Sequence, residues 1–244
     1  MLLEICVDSF ESALAAQRGG ADRLELCGDL LVGGITPSPF LIEKVQKLDV
    51  PVNVLLRPRF GDFLYSEAEK DILFKEVQMC QKMGVNGVVL GALEPNGRLD
   101  KPFLQDLIAE AGTLHKTLHR AFDVCVDAQE GLYEAIELGF DTILSSGQAP
   151  TALQGASMLA QLHQKANGRI TIMAGSGVKA SNLSELMAMT GLTAFHMSAK
   201  CSVDSPMVFR HKEIPMGLPM AGEYERFYTD EAEVRKAKGI LSKK

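Results

Sequence analysis

The sequence predicts an α/β protein built as a single (β/α)8 TIM barrel with a C-terminal extension. Three observations lead there. The 244 residues suit a fold that takes roughly 250. Runs of strand character recur at residues 2–7, 23–27, 51–57, 87–91, 116–122, 142–146, 170–174 and 194–198, with helical patterns between them. No linker or shift of composition interrupts the series before about Cys201. Strands alternating with helices pair in parallel, because each return needs a crossover of helix length. Eight such units favour closure over an open doubly wound sheet.

The elements follow from local chemistry. An amphipathic stretch at 10–18 stops at Gly19-Gly20, and Arg23 to Cys27 resumes strand character, giving a βαβ opening. Helical patterns are expected at 40–48, from an N-cap at Ser66 to Met83-Gly84, and at 103–111, 128–138, 152–166 and 183–189. Residues 1–200 form the barrel. Residues 201–244, with Pro206, Pro215, Gly217 and Pro219, read as an irregular segment and a last helix from Asp230 to Leu241, packed on the barrel in the same domain.

With 46% hydrophobic and 23% charged residues, the composition is that of an ordinary globular protein. A net charge of −6 with no basic stripe argues against a nucleic-acid partner. No apolar run reaches membrane-spanning length, and Met1-Leu2-Leu3-Glu4 does not open a secretion signal. Five scattered cysteines, odd in number, do not resemble a disulfide framework, so a cytoplasmic location is expected.

Alternation along the strands sorts inner from outer residues. Leu3, Ile5 and Val7 leave Glu4 and Cys6 inside; Leu24 and Leu26 leave Glu25 and Cys27; Val52, Val54 and Leu56 leave Asn53, Leu55 and Arg57. Later strands turn Thr117, His119, Thr171, Met173, His196 and Ser198 inward. Barrel interiors are usually filled by branched apolar side chains, so enclosed carboxylates, arginine and histidines need either mutual pairing or a function. Glu4 lies early in its strand, where an architectural ion pair is the expected role. Arg57, Arg59, His119, Arg120, Asp123 and His196 fall at or after strand ends, where barrel active sites form, and such basic groups suit an anionic ligand.

Two glycine loops add to that expectation. Met173-Ala174-Gly175-Ser176-Gly177 follows the seventh strand and Ser145-Ser146-Gly147 the sixth, where backbone N–H groups can approach an oxyanion. The expected anion-binding set is Arg57, Arg59, Ser146, Gly175, Gly177, His196 and Ser198.

Glu4-Ile5-Cys6 and Glu25-Leu26-Cys27 are matching tripeptides on consecutive strands, which lie about 4.8 Å apart. A level register brings the two thiols together. Paired soft sulfur suits Cu(I) better than tetrahedral zinc, with Met173 as a further soft candidate; packing or an adventitious disulfide competes with this reading. Cys80 reads as structural.

Leu3-Glu4-Ile5-Cys6, Gly20-Ala21-Asp22-Arg23-Leu24-Glu25-Leu26-Cys27, Gly33-Gly34-Ile35-Thr36-Pro37-Ser38, Arg57-Pro58-Arg59, His119-Arg120-Ala121-Phe122-Asp123 and Ser145-Ser146-Gly147-Gln148 together resemble the CutC family over residues 1 to about 200. The resemblance implies a (β/α)8 barrel, a cytoplasmic homodimer or higher homo-oligomer, and a role in copper homeostasis. Copper, as Cu(I), is carried over to Cys6 and Cys27. The alternative is a barrel enzyme acting on a small phosphorylated or anionic molecule, with Glu25 or His119 as general base, Asp123 as acid or orienting group and the arginines as clamps.

Overall fold

The computed structural model describes residues 1–211, 214, 217 and 222–243. Eight parallel strands close into a barrel in chain order: β1 (Leu2–Val7), β2 (Arg23–Leu26), β3 (Val52–Leu55), β4 (Gly87–Leu90), β5 (His115–Leu118), β6 (Thr142–Ser145), β7 (Thr171–Ala174) and β8 (Ala194–Met197). β8 hydrogen-bonds back to β1, so no strand edge is left in the barrel. Seven helices occupy the crossovers: α1 (Phe10–Gly19), α2 (Pro39–Val45), α3 (Glu67–Met83), α4 (Lys101–Ala111), α5 (Ala128–Leu138), α6 (Ala156–Ala166) and α7 (Ala180–Thr190).

Local signals set the helix ends. Ser9 caps α1 by accepting the Ser12 N–H, and Ser66 with Glu69 forms a complete capping box on α3. Leu3, Ile5, Leu24, Leu26, Val54 and Leu56 are fully buried against the helices, in one continuous apolar layer around the barrel. Two small apolar clusters sit apart from it: Cys6, Cys27, Leu55 and Val89, and Leu144, Met173 and Ala194. These are inner-face residues, which agrees with the alternation in the sequence.

Two differences from expectation matter for the mouth. The fifth strand ends at Leu118, and Arg120–Val124 forms a 3-10 turn instead of further strand, because the His119 ring accepts the Ala121 N–H and starts the turn. After β8 the chain forms β9 (Lys200–Asp204), paired antiparallel with β10 (Glu225–Thr229), where an irregular segment was expected. Of the prolines and glycine read there, Pro215 and Pro219 lie outside the described residues.

Asp230 then caps α8 (Glu231–Leu241), which packs between α7 and α1 and supplies the eighth helix. The contact is close: a Cβ on Gly19 would sit 2.6 Å from Val234 Cβ, so only glycine fits. Lys238 pairs with Asp22, whose other oxygen accepts the Leu3 N–H at 2.8 Å, tying α8 to the start of the barrel. No helix among the described residues is long and apolar enough to cross a membrane.

Candidate metal and ligand site in the barrel mouth

The β1 register decides the centre of the barrel. Glu4 is opposite Arg23 on β2 and His196 on β8, and its buried carboxylate bonds both: Oε2 lies 2.5 Å from Arg23 Nε and Oε1 2.8 Å from His196 Nδ1. Burial alone would raise the Glu4 pKa, but the imidazole and guanidinium prevail and hold it at about 2. Glu4 therefore acts as the orienting anion of a three-residue array, extending the ion pair expected of it to the histidine.

His196 extends this array upward. With Nδ1 on Glu4, its Nε2 points to the Cys6 and Glu25 side, 3.7 Å from Glu25 Oε2. Ligand atoms of Cys6, Glu25 and His196 all lie within 4.8 Å of one another. Burial disfavours the charged imidazole, yet Cys6, Glu25 and Glu4 outweigh it, and the His196 pKa rises well above its usual value. Burial pushes the Glu25 carboxyl up, opposed by His196.

The level register expected of the two tripeptides is not found. Cys6 pairs with Glu25, so Cys27 lies two positions higher on its strand, a rise of about 6.6 Å. Barrel closure requires such stagger between strands. The Cys27 thiol instead lies 3.6 Å from Glu25 Oε2, in the same apolar cluster as Cys6, with burial and then the Glu25 charge pushing its pKa up. Met173 packs in the other inner cluster, 3.9 Å from Arg23 Nη2 through its sulfur. It does not join the cysteines.

Below the array, Arg23 also approaches His115, whose ring meets Asn53 and Thr142 at 3.3 Å. Neither Arg23 nor His115 was singled out in the sequence. Both were legible by parity, Arg23 with Glu25 and Cys27, His115 with Thr117 and His119.

Above the array opens a cavity of about 920 Å³ lined by Cys6, Glu25, Arg57, His119 and His196, and walled on one side by β10. Gly177 and Ser198 line it as well. Arg59, Ser146, Gly175 and Asp123 do not. The Arg59 guanidinium is taken by Glu69 at 2.6 Å and Asp62 at 3.0 Å, outside the barrel mouth. Gly175 donates its N–H to the Ser145 carbonyl at 2.9 Å, which removes it from an anion seat. Asp123 accepts from Ser145 Oγ at 2.6 Å, from the Ser146 N–H and from Arg120 Nε, and so clamps the loop after β6.

Arg57 and His119 are buried in the cavity wall against the same neighbour: Phe63 lies 4.9 Å from the guanidinium and 4.8 Å from the imidazole. His119 accepts the Ala121 N–H on Nδ1, which leaves the ring proton on Nε2. Burial and the Arg57 charge lower its pKa to about 3. It presents a donor, which is the opposite of the general base expected of it.

The CutC family profile matches residues 1–201, and with the closed barrel beneath it this decides the grouping. This chain belongs to the CutC family. A mouse relative named copper homeostasis protein cutC homolog is 42% identical over 241 residues, covering 98% of this chain and 89% of its own. A CutC family protein of Xanthomonas campestris pv. campestris is 45% identical over 242 residues, 99% of either chain. A solved CutC structure from Streptococcus agalactiae, named for copper homeostasis, superposes with a TM-score of 0.77 at 29% identity, covering 81% of this chain and 98% of that one. A thiamine phosphate pyrophosphorylase from Pyrococcus furiosus, at TM-score 0.60 and 16% identity, shares the barrel fold alone.

Proposed function

We propose that this CutC chain binds Cu(I) in the cytoplasm and serves copper homeostasis by holding the ion in the barrel mouth. Cys6 and His196 are the principal donors and Cys27 is a second sulfur beside them. The observation that carries the reading is the buried group of Cys6, Glu25 and His196, with ligand atoms within 4.8 Å of one another on the wall of an open cavity. Thiolate and imidazole are donors that Cu(I) accepts at low coordination number. Glu4 supports the nitrogen donor as carboxylates do in metal sites, by accepting the Nδ1–H hydrogen bond and turning Nε2 toward the ion, which displaces the Nε2 proton on binding.

Glu25 is the hard member of the set. Burial raises its pKa, which weakens it as an anionic ligand for a divalent ion and favours a monovalent soft one. The relatives named for copper homeostasis support the same assignment. Free cysteines throughout fit a reducing compartment. Association of two or more copies belongs to the same proposal; fully exposed Val208 beside Phe209 offers apolar surface for it, and sedimentation of the reduced protein tests it.

The test is competition with a chromogenic Cu(I) chelator under anaerobic, reducing conditions. About one Cu(I) per chain is expected, with zinc bound far more weakly. Equal affinity for zinc, or loss of competition in none of the Cys6, Cys27 and His196 variants, defeats the proposal.

A further inference from the structure

Two buried donors of the cavity wall have no partner. Arg57 spends Nη1 on the Gly34 carbonyl at 3.2 Å and Nη2 on the Gly61 carbonyl at 2.6 Å, while its buried Nε is left without a hydrogen-bond partner. Among the described residues no carboxylate lies within ion-pair distance of it. A guanidinium only 8% exposed and without a counter-ion carries a large desolvation cost. His119, 4% exposed, has the second orphan, Nε2, and its bond from the Ala121 N–H fixes that nitrogen as a donor.

Both groups are built in. A Cβ at Gly91 would lie 2.7 Å from His119 Nδ1, so a glycine makes room for this ring. Three loop carbonyls hold the Arg57 fork, and one aromatic ring, Phe63, packs on both side chains. Rigid, acceptor-free and positively charged, the pair lacks one kind of complement, a negatively charged acceptor.

We infer that the barrel mouth binds a small organic oxyanion, a carboxylate or phosphate ester, with its charged end on Arg57 and His119. A cavity of about 920 Å³ holds far more than a single ion, and Leu30, Leu55 and Phe63 give the organic body an apolar wall. The seat thus lies on the β3 and β5 side of the mouth, away from the Gly175 loop where the sequence suggested it. The inference does not rest on copper, since neither Arg57 nor His119 belongs to the proposed metal ligands.

The experiment uses the full-length, metal-stripped, reduced protein at low ionic strength, titrated with sodium phosphate and separately with sodium acetate, with sodium chloride as the ionic-strength control. Calorimetry gives affinity, and 15N-labelled histidine NMR follows the His119 ring. Saturable binding of either oxyanion with a shift of the His119 Nε2 resonance is expected, phosphate preference marking a phosphoryl ligand and acetate preference a carboxylate. His119→Phe should weaken that binding at least tenfold, and Arg57→Lys, which keeps a charge but loses the fork, should weaken it also. Should Arg57→Lys fail to fold, the wild-type resonance and His119→Phe still decide. An unmoved His119 resonance, a response that chloride reproduces, or unchanged affinity in His119→Phe overturns the inference. Repeating the titration on Cys6→Ser separates the two readings: retained oxyanion binding there stands whether or not Cys6 holds copper.

Discussion

The Glu4 carboxylate and the His196 imidazole are register neighbours across the β1–β8 seam, with Oε1 2.8 Å from Nδ1. The bond spans the seam where the barrel closes and orients a metal-ligand candidate. Glu4→Gln keeps the shape but removes the charge. It should weaken Cu(I) binding by about 10- to 100-fold, the usual effect of losing a group that orients a ligating histidine. Glu4→Gln competing for Cu(I) like wild type would detach the histidine from the site.

Arg23 is the other partner of Glu4, and it is 7% exposed. Removing one member of a buried ion pair strands the other, which costs about 3–5 kcal/mol. Arg23→Met should therefore lower the urea unfolding free energy by that amount. A loss under about 1 kcal/mol would mean that His196 alone satisfies Glu4.

His119 supplies a pH signature. Its folded pKa is about 3, below the ordinary value of 6.5, so between those values the unfolded chain takes up a proton that the folded protein refuses. Its contribution is complete above about pH 6.5 and is lost as the pH falls toward 3, at roughly 1.4 kcal/mol per pH unit. His119→Gln should flatten the difference in stability across that window. Parallel stability–pH curves for the variant and wild type would refute this.

The α1–α8 contact depends on Gly19, where a Cβ would lie 2.6 Å from Val234 Cβ. Gly19→Ala should destabilise by about 1–3 kcal/mol, as overpacking does, and Val234→Ala in the same chain should restore part of the loss. Additive losses in the double variant would show that α8 is not held at this point.

Much of the architecture was legible because strand parity and helix punctuation are local. Leu3, Ile5, Leu24 and Leu26 announced the outer face, and Ser66 the start of α3. The level register of Cys6 with Cys27 is not found, because register between strands comes from barrel closure, which no tripeptide encodes. That same stagger brought His196, far away in sequence, to Cys6 and Glu25. Asp123 and Arg59 carry the right chemistry, but local partners engage them: Ser145 and Ser146 for the one, Glu69 and Asp62 for the other. The β9–β10 pair went unseen because its strands are short, far apart and mostly exposed, so they carry little apolar alternation.

In the proposed site, Cys6 and His196 hold Cu(I) together. Chelator competition on reduced, anaerobic wild type, Cys6→Ser, His196→Asn, Cys27→Ser and Cys80→Ser tests it most directly, with folding of each checked by circular dichroism. About one Cu(I) per wild-type chain is expected, with loss of most binding in Cys6→Ser and His196→Asn, a smaller loss in Cys27→Ser and none in Cys80→Ser. Folded Cys6→Ser and His196→Asn proteins that compete as strongly as wild type would contradict the proposed site.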